Sequence, residues 1–368
     1  MRFLSHITAG IFSGILLCCC SCQAQQAPAA RKDHLFTSYF QKTSGWIAGD
    51  GAYSIPLGNG QSLWTFGDSH INDFDSSTQT TPCLFQVRNA VFTMDQRYPM
   101  RTITYTGTAT PPSYFSLGHD PHYWFWPGSG YAHGDSVYIF LGRLHKTGPG
   151  GMWGFENVDS GYVAVIRKDN FSHVDYRLLP PSNGIVFTSA VVKGLNDTCY
   201  VYGIKSNGMG NDLFVARFKA GAVVHSREYF DGTGWSRSSG EAHPIHSEFT
   251  ASFNVCKIGK KYILITTALS VGCDQGKEIF VSVSDQPYGP FTNRHVVWEV
   301  DDTLEGHHPF FYIANAHPQF SDNNELLITY CINGYDSCVN TCENGRMNPD
   351  YYRPKAIRVP YALIDPGL

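Results

Sequence analysis

Asp50 and Asp68 stand on either side of the dipeptide Asn59-Gly60, within the stretch from Gly45 to Asp73. Asn-Gly between alternating residues is a strong signal for a two-residue type I′ hairpin turn. With that turn Asp68 faces Gly51 and Asp50 is its immediate neighbour, so both carboxylates reach the same end of one hairpin. Cross-strand and diagonal neighbours have Cβ atoms about 5–8 Å apart. Two carboxylates at that spacing repel each other, which raises one pKa and separates an ionised group from a protonated one. Such a pair suits the breaking of a glycosidic bond: one carboxyl protonates the leaving oxygen while the other is the nucleophile or activates water. Carboxyl groups about 5–5.5 Å apart retain the anomeric configuration and groups about 6.5–9.5 Å apart invert it. Neighbouring positions on one hairpin favour the shorter distance. Gly49, Gly51 and Gly67 leave room for a ligand or another backbone. The structural alternative is that the two aspartates cap turns, as Asp often does.

Sugar rings have apolar C–H faces that stack on aromatic rings, so aromatic residues are the second thing to look for. Trp124-Phe125-Trp126 is the best candidate platform, with Trp46 and Trp153 behind it. The competing reading is that these rings pack between sheets, as most Trp and Tyr do in β-rich proteins.

The elements that must hold these residues are strands. Runs of five to eight alternating or β-branched residues are cut by Gly, Asn, Asp and Pro, and no stretch has a sustained helical period with caps. One unit recurs: a strand, a tight Gly/Asn/Asp turn, and a second strand, usually with Tyr or Trp. It occurs as SIPLGNGQSLWTF from Ser54, YAHGDSVYIF from Tyr131, VVKGLNDTCYVYG from Val191, FNVCKIGKKYILIT from Phe253 and HPQFSDNNELLITY from His317, at intervals of roughly 60 to 75 residues. Further strands follow each copy, as a four-stranded blade requires. Radial repetition of this kind predicts an all-β fold, a five-bladed β-propeller.

The chain has 368 residues and a formal net charge of −4, with no run of Lys or Arg, which argues against nucleic acid as a partner. Met1-Arg2 and the apolar run Ile7 to Leu17 form a signal peptide, too short to span a membrane as a helix. Cys22 follows Ser21 directly after it and is the preferred site of lipidation, with Cys20 second; cleavage after Ala24 without a lipid is the alternative. The organisation expected is a signal peptide over residues 1–22, a flexible Ala/Gln-rich tether over 23–42 and a single propeller over 43–368. The protein is then exported, as an outer-membrane or cell-surface lipoprotein or a periplasmic protein. It touches the membrane only through the anchor, and a monomer is expected. Beyond the leader stand Cys83, Cys199, Cys256, Cys273, Cys331, Cys338 and Cys342, an odd set that leaves at least one thiol free or paired between chains. Cys338 and Cys342 are spaced for a small disulfide loop or two surface thiols, not for zinc.

Three stretches carry a resemblance to known proteins. GWIAGDGAYSIPLGNGQSLWTFGDSHIND, from Gly45, resembles the first blade of two related uncharacterised-domain families whose relatives include bacterial endo-D-arabinanases. SDQPYGPFT, from Ser284, resembles a blade-four strand and turn, and NAHPQFSDNNELLITYCIN, from Asn315, the closing blade, of the wider five-bladed glycosidase group. That group comprises arabinanases, β-xylosidases, and the invertase and levansucrase enzymes. The resemblance implies a propeller with a glycosidase-like cleft and a carbohydrate partner. It implies no required cofactor, though it allows a calcium ion near the axis. Because inverting relatives place a general acid on a later blade, Glu248 in HSEFTASF becomes the rival partner of Asp50. Relatives also use an axial histidine and basic residues that bind hydroxyls, which points to His317 and to Arg353 in YYRPK. Against these stand a buried histidine and a salt bridge that closes the ring.

Two functions follow. One is a glycoside hydrolase acting on a plant or microbial polysaccharide or oligosaccharide, with furanose (arabinose)-containing substrates the ones that the resemblance implies. The other is a noncatalytic glycan-binding lipoprotein using the same cleft, which carboxylates splayed apart or locked in ion pairs would favour.

Overall fold

The structure, a computed structural model, describes residues 28–368 apart from 109, 119, 149–153, 209, 251 and 334–338. Five antiparallel sheets follow one another along the chain as five blades. Blade 1 is Tyr53–Pro56, Gln61–Phe66, Ala90–Asp95 and Thr102–Tyr105. Blade 2 begins with the hairpin Tyr123–His133 and Ser136–Lys146, blade 3 with Val186–Lys193 and Thr198–Ser206, and blade 4 with Phe253–Ile258 and Lys261–Thr267. Blade 5 starts with Phe310–Ala316 and Glu325–Asn333.

In blades 1 to 4 the opening hairpin coincides with one copy of the repeated unit; in blade 5 the copy from His317 begins after the first strand and covers a 3-10 turn, Pro318–Phe320, and the second strand. The turns are made by residues that tolerate positive φ: Asn323 and Asn324 have φ of 50° and 59°, the pattern of a type I′ turn. Alternate residues of each strand then bury their side chains against the next blade. Ile263, Ile265, Val281 and Val283 of blade 4 share one core cluster with Ile328, Tyr330 and Ile357 of blade 5.

The ring closes differently from the expected tether. Arg31–Lys32 pairs with Lys355–Pro360 as the outermost strand of blade 5, Arg31 opposite Arg358. Asp33 then caps the short helix His34–Ser38 by accepting from the Phe36 N–H at 2.8 Å. Phe36 and Phe40 are buried with Trp64 and Phe92. The boundary drawn at residue 42 therefore moves to about residue 30, because residues 31–42 carry apolar side chains that the core needs. Residues 1–27, with Cys22, lie outside the described residues.

Cysteine pairing also departs from expectation. Cys342 joins Cys83, tying a blade-5 loop to a blade-1 loop, rather than forming a local loop with Cys338, which lies outside the described residues. Cys273 is disulfide-bonded as well, and Cys199, Cys256 and Cys331 are buried free thiols.

Candidate active site

The first hairpin is one residue out of the predicted register. Tyr53 opposes Thr65, Leu57 N–H donates to the Gln61 carbonyl, and the loop is Gly58-Asn59-Gly60, with φ of 82° at Gly58 and 80° at Gly60. Gly58 takes up the left-handed region that the two-residue turn would have given to Asn59. Below the loop Gly49 opposes Ser69, and the Gly67 N–H donates to the Asp50 carbonyl at 2.9 Å, so Asp50 lies against the Gly67–Asp68 segment. Ser69 also bridges Val87 on the next strand, which places Arg88 across from Asp68 on its other side. Asp50, Asp68 and Arg88 thus form one row over three neighbouring strands.

Backbone irregularity makes room for this row. Gly51 and Ala52 have φ of 93° and 48° in the break between Trp46–Gly49 and Tyr53–Pro56. A Cβ on Gly67 would stand 2.4 Å from Asp50 Oδ1, so only glycine lets that carboxylate lie where it does.

The row is strongly perturbed. Asp68 is 6% exposed; burial, then repulsion from Asp50, pushes its carboxyl up to about 7, against the pull of Arg88 and a hydrogen bond from Trp126. Trp126 Nε1 donates to Asp68 Oδ1 at 3.2 Å, and Arg88 stands 3.4 Å from Asp68 Oδ2. Asp50 is reached by solvent although protein atoms surround it, and burial raises it to about 6 against hydrogen bonds from Tyr312 and Tyr352. Tyr312 Oη donates to Asp50 Oδ2 at 3.0 Å. Arg88 lies over the Trp124 ring at 4.4 Å, and both line a cavity of about 390 Å³ between blades 1 and 2, where Tyr123 and Arg143 join them.

The other predicted residues are distributed unevenly. Trp124 and Trp126 stand at the row. Trp46 does not: it is fully buried, 4.3 Å from Phe66, with its indole N–H on Ser69. Trp153 lies outside the described residues. Arg353 is buried and closes the ring, donating to the carbonyls of Ile47 and Lys42 and pairing with Asp350 at 2.9 Å.

His317 follows the inner strand of blade 5 and is fully buried between Ser54 Oγ at 2.6 Å and Thr329 Oγ1 at 2.8 Å. Burial, aided by Arg358, lowers it to about 3, so it stays neutral and does not line the cleft. Both its nitrogens are engaged, and no group of three or more His, Cys, Asp or Glu that could hold a metal occurs among the described residues. This donor set does not fit a calcium ion, which takes six or more oxygens.

Glu248 precedes the inner strand of blade 4 but is saturated with partners. His246 lies 3.1 Å from Oε2, while Thr266 at 3.1 Å and Arg294, through Nε at 3.0 Å, donate to Oε1. Burial would raise this carboxyl, but the bonds from His246 and Arg294 outweigh it and hold it below its ordinary value. A carboxylate so held is a poor proton donor.

Arg88 and Tyr312 are the residues that sequence reasoning missed. Arg88 stands just outside its strand, and Tyr312 is aimed by a register shift between Tyr312 and Asn315, where Ile313 has φ of 52°.

The residues 33–361 match the model of the family described as a domain of unknown function, DUF5005. The chain belongs to that family. No curated protein matches it. Among solved structures it is similar to a "putative hydrolase" from Bacteroides ovatus ATCC 8483, at 19% identity and a TM-score of 0.72, with 91% of this chain and 92% of that one covered. That likeness shows the propeller fold. Lower similarity is found to a mutant α-L-arabinanase of Cellvibrio cellulosa, with 11% identity, 84% and 91% coverage and a TM-score of 0.48. A β-xylosidase/α-arabinofuranosidase from a compost metagenome has 13% identity, 89% and 94% coverage and a TM-score of 0.46.

Proposed function

We propose that this DUF5005 protein is a glycoside hydrolase in which Asp68 is the general acid and Asp50 the nucleophile. The observation that carries the reading is the pair itself: two aspartates close enough for one to repel the other, both raised, and flanked by an indole N–H and a partly exposed arginine. Asp68, raised further, keeps the proton for the leaving oxygen; Asp50, with Tyr312 on its carboxylate, stays ionised more readily. Positions at the same end of one hairpin limit the carboxyl separation, which suits retention better than the wider inverting spacing. The binding-only reading would gain from carboxylates locked in ion pairs. Arg88, at 3.4 Å and 41% exposed, leaves Asp68 raised and does not lock it.

The substrate class is a polysaccharide or oligosaccharide, with arabinose-containing furanose polymers the first to try. We place the protein outside the cytoplasm, tethered through Cys22. Purified protein on a polysaccharide panel should release reducing sugar, with the β or α configuration of the substrate preserved in the first product seen by NMR. Glycan binding without release, from wild type and Asp68→Asn alike, would establish the noncatalytic alternative. Cys22→Ala should move the protein from the membrane to the soluble fraction; an unchanged distribution removes the anchor.

A further inference from the structure

The cavity of about 390 Å³ between blades 1 and 2 lies to one side of the aspartate pair. Arg88 and Trp124 line it, and Arg88 is the residue that stands 3.4 Å from Asp68. None of the groups found against Asp50, namely Tyr312, Tyr352 and Gly67, lines it. The cavity is therefore on the Asp68 side of the site. Its volume falls within the usual range for small-molecule sites, about 300–1,000 Å³.

Its walls mix apolar surface with donors and an acceptor that have work left to do. Arg143, on the strand Ser136–Lys146, rests its guanidinium on the Tyr123 ring at 4.2 Å. Arg88 rests in the same way on Trp124 at 4.4 Å. A flat ring holds each guanidinium in place and leaves its N–H edge free to donate. No described residue accepts from the Arg143 side chain. Asp120 is exposed on the same wall; its Oδ1 accepts from the His122 N–H, and Oδ2 is left to accept. Exposed Leu117, with Pro111 and Pro121, gives the apolar part. A guanidinium only donates and a carboxylate only accepts, whereas a sugar hydroxyl does both. A neutral sugar unit, with hydroxyls around an apolar ring face, matches the whole set.

We infer that this cavity is the leaving-group subsite: the sugar unit released on the glycosidic oxygen sits here, its hydroxyls accepting from Arg143 and donating to Asp120. The inference rests on the hydrolase reading and adds the direction in which the substrate lies. A general acid has to stand within hydrogen-bond reach of the oxygen that it protonates. As the C–O bond breaks, the Asp68 proton passes to that oxygen and Asp50 bonds to the anomeric carbon. The unit carried away is then on the Asp68 side, in the cavity, and the unit attacked lies over Asp50. Arg143 and Asp120 so become specificity residues, whose contacts with the leaving sugar help to lower the barrier of the first step.

The test gives the full chain two substrates that share the attacked sugar and differ in the leaving group. They are arabinotriose and p-nitrophenyl α-L-arabinofuranoside, or the matched pair for whichever other sugar the polysaccharide panel selects. The trisaccharide brings hydroxyls to the cavity; nitrophenol brings none. In Arg143→Ala the ratio of kcat/KM for the trisaccharide to kcat/KM for the aryl glycoside should fall about tenfold or more. Asp120→Asn, at an exposed position, should lower the same ratio by less, and it keeps the test open where Arg143→Ala folds poorly. A merely structural defect lowers both constants together and leaves the ratio in place. A ratio unchanged in both variants overturns the inference and leaves the hydrolase reading standing. A ratio that rises puts the attacked sugar in the cavity and overturns it too. No cleavage of any glycan by wild type overturns the hydrolase reading, and the subsite falls with it.

Discussion

Two acidic sites lie beside opening hairpins of this ring, and their electrostatics are opposite. At the base of the first hairpin of blade 1, Asp50 repels Asp68, and one half-exposed arginine at 3.4 Å does not offset burial and repulsion. Before blade 4, Glu248 receives two nitrogens of Arg294 along with His246 and Thr266, and burial is overcome. The lesson is that burial alone does not make an acid; the number and geometry of donors decide whether a buried carboxyl holds a proton at neutral pH.

The sharpest way to break the comparison is kinetic. On a glycan that wild type cleaves, Asp50→Asn and Asp68→Asn should each lower kcat by about a thousandfold or more, while Glu248→Gln stays within about tenfold. Circular dichroism checks that each variant is folded. A folded Asp68→Asn enzyme with near-normal turnover would exchange the roles of the two sites.

Stability against pH should separate the sites with opposite sign. Asp68 is raised on folding, so its contribution is present below the unfolded value of about 4 and lost as pH rises through about 7. Asp68→Asn should therefore be more stable than wild type at pH 8, by about 2 kcal/mol, and gain little at pH 4. Glu248 is lowered, so its contribution is present above the unfolded value and lost as pH falls through the folded one. Glu248→Gln should cost about 1–2 kcal/mol at pH 7 and less at pH 3. Thermal melts across pH read both.

The smallest effect concerns Arg88. Its charge pulls Asp68 down, so Arg88→Met should move the basic limb of the kcat/KM profile upward by about one pH unit. No movement would mean that the limb belongs to another group.

The repeated hairpins were legible because turn residues and alternation are local properties: four copies fall on opening hairpins of blades, and the fifth on the loop and second strand of blade 5. The end of the first hairpin was legible in kind but not in register, because Gly58 can take the positive φ that the Asn-Gly reading reserved for its neighbour. One residue of loop length moved every cross-strand partner in that hairpin by one position. Trp46 and Trp126 are the same residue type in similar polar company; only the packing of blade 1 makes one core and the other cleft. Tyr312 depends on a backbone bulge, which no one stretch of sequence encodes. His317 and Arg353 came from resemblance, and the ring uses both for its own closure rather than for a ligand.

The strand Arg31–Lys32 has a consequence for the order of events in folding. Its partner, around Arg358, is nearly the whole chain away, so this contact has the highest loop-closure cost in the ring. Blades 2 to 4 are complete within local sequence and can form as the chain lengthens, but blade 5 waits for both ends. Removing the first strand or the last should therefore open the same blade, and the two truncated proteins should fail alike.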